Sequence, residues 1–287
     1  MAKSKVEKTE EKTDNGTTEL TTRNETALTS AREDFIEKGD LSGTEDITAD
    51  DLRLPRLAFA QGLSEQMQEG NSNYIAELRM AEMFNDLTSE IYGKGPMTFV
   101  PVKREVRYIE FAPREDGGGL LDPDVPPGDP RTKWSVVDGR RVPPAATKFV
   151  EFVVLLLKGE DPPEPIVLSI KDTNKFNRRA AERLTGFIKL RQKPIYAGLY
   201  TIQSKNEKND KGTFAVPVIG NAGNLDDKNV PDEMWERHKR LYAYAQQFAA
   251  SLQGKTIHVN RDTTEDDSFD TDAYDAAVTG AATRPDM

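Results

Sequence analysis

Polar and apolar positions divide the 287-residue chain into three stretches. Residues 1–50 hold a single aromatic, Phe35, among Thr, Glu, Lys and Asp, with no sustained apolar period. Such a stretch buries too little surface to offset the entropy of ordering it. It is expected to be a disordered N-terminal arm with a short helix around Ala31 to Lys38. Residues 261–287 are similar, except that Phe269 and Tyr274 sit among Asp residues, and are expected to form a disordered acidic tail. The periodic patterns lie between, in residues 51–260, the expected folded domain.

Within that domain, Leu52 to Leu57 reads as an extended lead-in, because Pro55 disfavours helix at Leu54. Residues 74–92 suit a helix or a strand and turn equally. Thr98 to Phe111, rich in Val, Tyr and Phe, predicts one long or two short strands, with a bulge or an edge at Pro101. Gly and Pro make residues 115–134 a long loop. Phe149 to Leu157 is the most apolar run and the central-strand candidate, and Ile166 to Ile170 pairs with it across GEDPPEP. Phe176, Ala180, Leu184, Phe187 and Ile188 repeat at helical spacing between Thr173, the expected N-cap, and Arg191. Ile195 to Gln203 and Thr213 to Ile219 flank the polar turn SKNEKNDKG and predict a hairpin with a longer loop. A second helix runs from Pro231 to Leu252, with Trp235, Leu241, Ala245, Phe248 and Leu252 on one face and Gly254 as its stop. Thr256 to Val259 adds a last strand, and Trp134 and Trp235 are expected as core anchors. Five to seven strands with helices between and after them predict an α+β fold on a small antiparallel β-barrel or sheet.

Composition narrows the chemistry. Without Cys there is no disulfide, thiolate zinc site or cysteine nucleophile, and two His, His238 and His258, are too few for a His-rich metal centre. No run approaches the eighteen or so apolar residues of a spanning helix, and the polar start MAKSKVEKTEEK has no apolar signal core, so no membrane role is expected and the cytoplasm is the expected location. The net charge of -10 is unevenly spread: residues 1–50 hold 7 basic and 13 acidic side chains and residues 261–287 hold 2 and 8, which leaves 30 basic and 28 acidic in the middle. All of the acidic excess lies in the ends.

Enzyme signatures are missing: no phosphate loop, nucleophile elbow, H-E-x-x-H or G-x-G-x-x-G. Gly117 to Gly119 lacks the following helix and lysine of a phosphate cradle, and Asp122, Asp124 and Asp129 depart from the calcium-loop pattern. No enzyme activity, cofactor or metal is expected. The basic residues, by contrast, cluster with aromatics. Lys103, Arg104, Arg107 and Arg114 accompany Tyr108 and Phe111. Between residues 171 and 193, Lys171, Lys175, Arg178, Arg179, Arg183, Lys189, Arg191 and Lys193 face only Asp172 and Glu182. Tyr196 and Tyr200, four apart on an expected strand, would share a face. Backbone phosphates require cations and unpaired bases require aromatic faces, so this pairing suits a single-strand groove. The ordinary alternatives are a solvated helix face and half-buried strand tyrosines.

At Leu54-Pro55-Arg56 to Gln61 and Ser64, the chain resembles a loose group of bacteriophage-encoded proteins whose ordered part begins L-P-R-x-x-x-x-Q-x-x-S. The likeness continues in Phe99-Val100-Pro101-Val102, in the aromatic strand ending near Phe111, and in Tyr196 to Gly212 with its N-E-x-N-x-x-G turn. The resemblance implies a phage single-stranded DNA-binding or recombination accessory protein, with an OB-like barrel carrying inserted and C-terminal helices. The expected DNA-binding residues are Lys103, Arg104, Arg107, Tyr108, Phe111, Lys171, Lys175, Arg178, Arg179, Lys189, Arg191, Tyr196 and Tyr200. The expected partners are single-stranded DNA and, through the acidic tail, replication or recombination proteins; the tail is also expected to compete with DNA for the groove. The alternative is a phage virion or assembly protein with no nucleic-acid role, and a hydrolase or nuclease with a carboxylate-bound metal ranks third. Oligomeric state is not encoded in any recognisable pattern.

Overall fold

The longest apolar run becomes an interior strand of the main sheet. In the computed structural model, which describes residues 53–112, 119–159, 161–209, 212–256 and 258–259, Ala146–Leu157 is a twelve-residue strand covered on both faces. The expected N-terminal arm, the tail and Gly117 to Gly118 lie outside the described residues.

The strands in chain order are β1 (Arg53–Leu54), β2 (Leu57–Phe59), β3 (Met83–Asn85), β4 (Ile91–Gly93), β5 (Met97–Phe111), β6 (Leu120–Asp122), β7 (Ser135–Val137), β8 (Arg140–Val142), β9 (Ala146–Leu157), β10 (Glu164–Lys171), β11 (Gly198–Asn209), β12 (Gly212–Asn224) and β13 (His258–Val259). The helices are α1 (Lys175–Arg191) and α2 (Asp232–Ser251). The main sheet is antiparallel in the order β10-β9-β5-β11-β12, with β6 added at the far end of β5. β2, β3 and β4 form a second small sheet, β7 and β8 a separate hairpin, and β13 pairs in parallel with β1. The chain is therefore α+β.

Each helix covers one face of the main sheet. On one side Ala180, Ala181 and Leu184 of α1 meet Val150, Phe152 and Val154 of β9, Ile166, Leu168 and Ile170 of β10, Phe99 and Tyr200. On the other, Leu241 and Ala245 of α2 meet Val153, Leu155, Val100, Val102 and Val167. Alternation along β9 sends even positions to α1 and odd ones to α2, which is why a strand that is apolar at every position from Phe149 to Leu157 except Glu151 lies between the two helices. The register of β5 on β9 slips between Pro101 and Lys103, where the proline predicts a bulge.

The expected barrel is not closed. The edge strands β10 and β12 are not paired with each other; the segment after Pro55 attaches to both. Val167 N–H donates to the Pro55 carbonyl at 2.8 Å, and Arg56 bridges Val167 in parallel. Six residues on, the Gln61 amide imitates a strand neighbour: it accepts from Ala215 N–H at 2.8 Å and donates to Ala215 C=O at 3.1 Å. Ser64 Oγ accepts from Gln61 N–H at 3.0 Å, and Arg56 donates to Asp86 through its backbone N–H and Nε at 2.6 and 3.2 Å. The backbone at Pro55 and Arg56 and the Gln61 side chain of the L-P-R-x-x-x-x-Q-x-x-S motif thus attach to the two sheet edges, while Asp86 and Ser64 hold Arg56 and Gln61 in place. Beneath this clip lies a cavity of about 140 Å³, lined among others by Arg56, Gln61, Ser64, Ser169, Lys171 and Asn177.

Three expectations shift. The N-cap of α1 is Asn174, one residue past Thr173; its Oδ1 accepts from Phe176 and Asn177 N–H at 2.9 and 2.8 Å. The polar stretch after Gln203 stays in strand, since β11 and β12 remain paired out to Asn209 and Gly212. Trp134 and Trp235 are half-buried and lie outside the core clusters, while His238 takes an inward position on α2.

Candidate nucleic-acid interface

Strand parity divides the β5 residues. Residues directly opposite on antiparallel strands share a face. Arg104 is opposite Phe152 and Tyr108 opposite Lys148, on the α1 side; Lys103 is opposite Val153, Arg107 opposite Phe149 and Glu105 opposite Glu151, on the α2 side. Lys171, opposite Phe149, joins the second set, with its ammonium 5.8 Å from the Phe111 ring centroid, and Phe111 in turn lies 6.2 Å from Phe149. One continuous groove containing Lys103, Arg104, Arg107, Tyr108, Phe111 and Lys171 is therefore not formed. Alternation at period two separates 103 and 107 from 104 and 108.

Arg107 is engaged in the fold. Its guanidinium lies 3.4 Å from Glu151 and 3.5 Å from Glu105, with side-chain exposures of 10% for Arg107 and 0% for Glu151. Lys103 pairs with Glu105 at 2.6 Å, and Ser169 Oγ donates to Glu151 at 3.0 Å. The arginine is the cation that allows two carboxylates to face each other across a pair of strands.

The tyrosine platform is not formed either. Tyr196 lies in a 3-10 turn (Ile195–Ala197) before β11 begins, and its ring meets Tyr242 of α2 edge-on at 5.3 Å. Tyr200 is fully buried on the opposite side, between Phe99 and Phe187, with ring centroids at 5.8 and 6.2 Å. The turn and a register irregularity after Leu199 cancel the parity that a straight strand would have kept. Burial raises the Tyr200 phenol above its ordinary value, against the opposing pull of Arg191. Arg191 is spent on the same core: it donates to Tyr200 OH, to Asn221 Oδ1 at 3.0 Å and to the Gly223 carbonyl at 2.9 Å. Gly198 makes this possible, because a Cβ there would collide with the Arg191 guanidinium.

The solvent face of α1 differs. Lys175, Arg179 and Arg183 are all exposed and recur every four residues, and Lys189 is exposed further along the helix. Arg178, on the flank, is held by Asp172 at 2.8 Å, and Asp172 also takes Lys148 at 3.2 Å. Lys175 lies 5.0 Å from the Phe176 ring and Arg183 5.8 Å from that of Phe187. Lys175, Arg179, Arg183 and Lys189 make no ion pair among the described residues. Arg183 is not among the DNA-binding residues expected from sequence; extending the four-residue spacing from Lys175 and Arg179 finds it. No group of three or more acidic or His side chains that could hold a metal occurs among the described residues, and no helix among them is long and apolar enough to cross a membrane.

A family model described as Pam3 phage gp34-like protein matches residues 23–258. The chain belongs to that family. Membership makes it a bacteriophage protein. The match takes in the whole main sheet, both helices and the edge clip, and ends before the acidic residues 262–275. No curated protein and no solved structure matches the chain.

Proposed function

We propose that this phage protein binds single-stranded DNA without sequence preference, as a non-catalytic participant in replication or recombination, and that it does so on the exposed face of α1. The observation that carries the reading is the row Lys175, Arg179 and Arg183, cations about 6 Å apart along one helix face and free of ion pairs among the described residues, while Arg56, Arg107, Arg131, Lys148, Lys158 and Arg178 all have carboxylate partners. Cations with no use inside the fold are available to phosphates. Arg104, exposed, and Tyr108, half-buried, lie on the same side of the sheet and extend the surface with one aromatic face. On this reading the open sheet with its stitched edges is an OB-like variant, and the DNA path follows the helix rather than a tyrosine-lined groove.

The test is the salt dependence of oligo-dT binding. Arg179→Glu with Arg183→Glu should weaken binding and lower the slope of log K against log salt by about 1.4, at about 0.7 per lost single-strand phosphate contact. An unchanged slope in a folded double variant removes α1 from the site. The alternative role in virion assembly is favoured by the fully exposed β7–β8 hairpin, and full-length protein that is not retained on single-stranded DNA cellulose at low salt would decide for it.

A further inference from the structure

The β7–β8 hairpin pairs with nothing but itself among the described residues. Its connection, Asp138 and Gly139 at φ 51° and 75°, has the two left-handed residues of a type I′ turn. Ser135 lies opposite Val142, Val136 opposite Arg141 and Val137 opposite Arg140. Every residue of both strands is exposed, with Val136 at 72%, Val137 at 54% and Val142 at 36%. An isolated two-stranded hairpin is marginal in water, and an open edge of β-branched residues is a template for a further strand. The root is fixed: Arg131 takes Glu110, Asp122 and Asp129 at 2.7, 3.0 and 3.1 Å, and Val125 N–H donates to the Tyr108 carbonyl at 2.8 Å. The base of the arm is thereby tied to β5 and β6.

Charge selects the occupant. Lys133, Arg140 and Arg141 outnumber Asp138, so a second copy of the hairpin would set like charges together. A nucleic-acid strand would find the arginines but would leave the valines wet, and the Trp134 ring is already overlaid by the Arg141 guanidinium at 4.9 Å. An acidic strand with apolar beads satisfies both features. Residues 262–275 supply one: seven acidic side chains, no basic one, and Phe269 and Tyr274. Five apart, those two aromatics lie about 17 Å apart on an extended strand, so either one can meet the valines of the three-residue strands. The ten residues from Val259 to Phe269 reach about 33 Å when extended, against a radius of gyration of about 17 Å for a domain of this size. Tethering keeps the segment near millimolar effective concentration.

We propose that part of residues 262–275 docks on β7–β8 as an added strand, its carboxylates on Arg140 and Arg141 and one of its two aromatics over the exposed valines. The site is distinct from the α1 face. Docking there takes the place of the expected competition between the tail and DNA, and it stands or falls independently of DNA binding.

A photoreactive benzoylphenylalanine placed at Val136 of the full-length chain tests it. On irradiation, the expected adduct joins the hairpin peptide to residues 261–287, and an equal mixture of two isotope-labelled copies tells a protomer's own tail from a neighbour's. The adduct should vanish when Arg140→Glu and Arg141→Glu are added and persist with Arg140→Lys and Arg141→Lys. In the full-length chain with all seven tail acids changed to amides, amide exchange of residues 135–142 should quicken about tenfold. No adduct, an adduct between two hairpins, or one formed only with added oligo-dT overturns the proposal, as does unchanged exchange.

Discussion

Arg107→Met offers a sharp separation of folding from binding. Methionine keeps most of the stem and removes the guanidinium that lies between Glu105 and Glu151, which are directly opposite each other on β5 and β9. Glu151 is fully buried, so its carboxylate cannot turn to water for replacement solvation. Removing one partner of a buried ion pair costs about 3–5 kcal/mol, and for a domain of about 200 residues each kcal/mol is worth roughly 2–4 °C in melting temperature. The expected fall is therefore about 6–20 °C by circular dichroism or calorimetry. Adding Glu151→Gln in the same chain should recover most of it, because an amide opposite Glu105 no longer requires the cation; a double-mutant cycle measures that coupling. Oligo-dT affinity, corrected for the folded fraction, should stay within twofold, since Arg107 faces α2 and not the exposed side of α1. A melting temperature that hardly moves, together with a tenfold loss of affinity, would refute this account and return Arg107 to the DNA site. Strict additivity of the two substitutions would show that the pair is not coupled.

Three further outcomes follow from the packing. Tyr200→Ala should destabilise by about 3–5 kcal/mol, as a large aromatic leaves the core beside Phe99 and Phe187, with oligo-dT affinity per folded molecule unchanged; lost affinity at constant stability would make Tyr200 a stacking residue. Gln61→Ala breaks both links to Ala215 and should lower the urea midpoint by about 1–3 kcal/mol equivalent without changing the slope of the transition; a midpoint that does not move would mean the edge clip holds nothing together. Burial pushes His238 below its ordinary 6.5, ahead of the opposing pull of Asp227. The unfolded chain therefore binds the proton more readily, so this contribution to stability is complete above about pH 7 and declines as pH falls through 6.5. His238→Gln should flatten that part of a urea-midpoint profile between about pH 7.5 and 5.5, and identical profiles would count against it.

Local pattern determined the longest strands and both helices. The predominantly apolar run of β9, the four-residue apolar spacing of α1 and α2 and the Pro101 bulge each depend on neighbours a few residues away, and each is where the sequence places it. The basic cluster of residues 171–193 is also local, so its exposed row is legible from residue spacing alone. Period-two alternation, applied to residues 103–108, further separates Lys103 and Arg107 from Arg104 and Tyr108. Tertiary structure decided what each charge and ring is for. Arg107 is taken by Glu105 and Glu151, Arg191 by Tyr200, Asn221 and Gly223, and Gln61 by Ala215, partners up to 154 positions away whose pairing depends on strand order and not on composition. The same holds for Tyr196 and Tyr200: one short 3-10 turn puts them on opposite faces of the sheet, because a side chain's direction in a strand is counted from where the strand begins. Whether a sheet closes is likewise a property of its edges, and here both edges are occupied by a segment more than a hundred residues away in sequence.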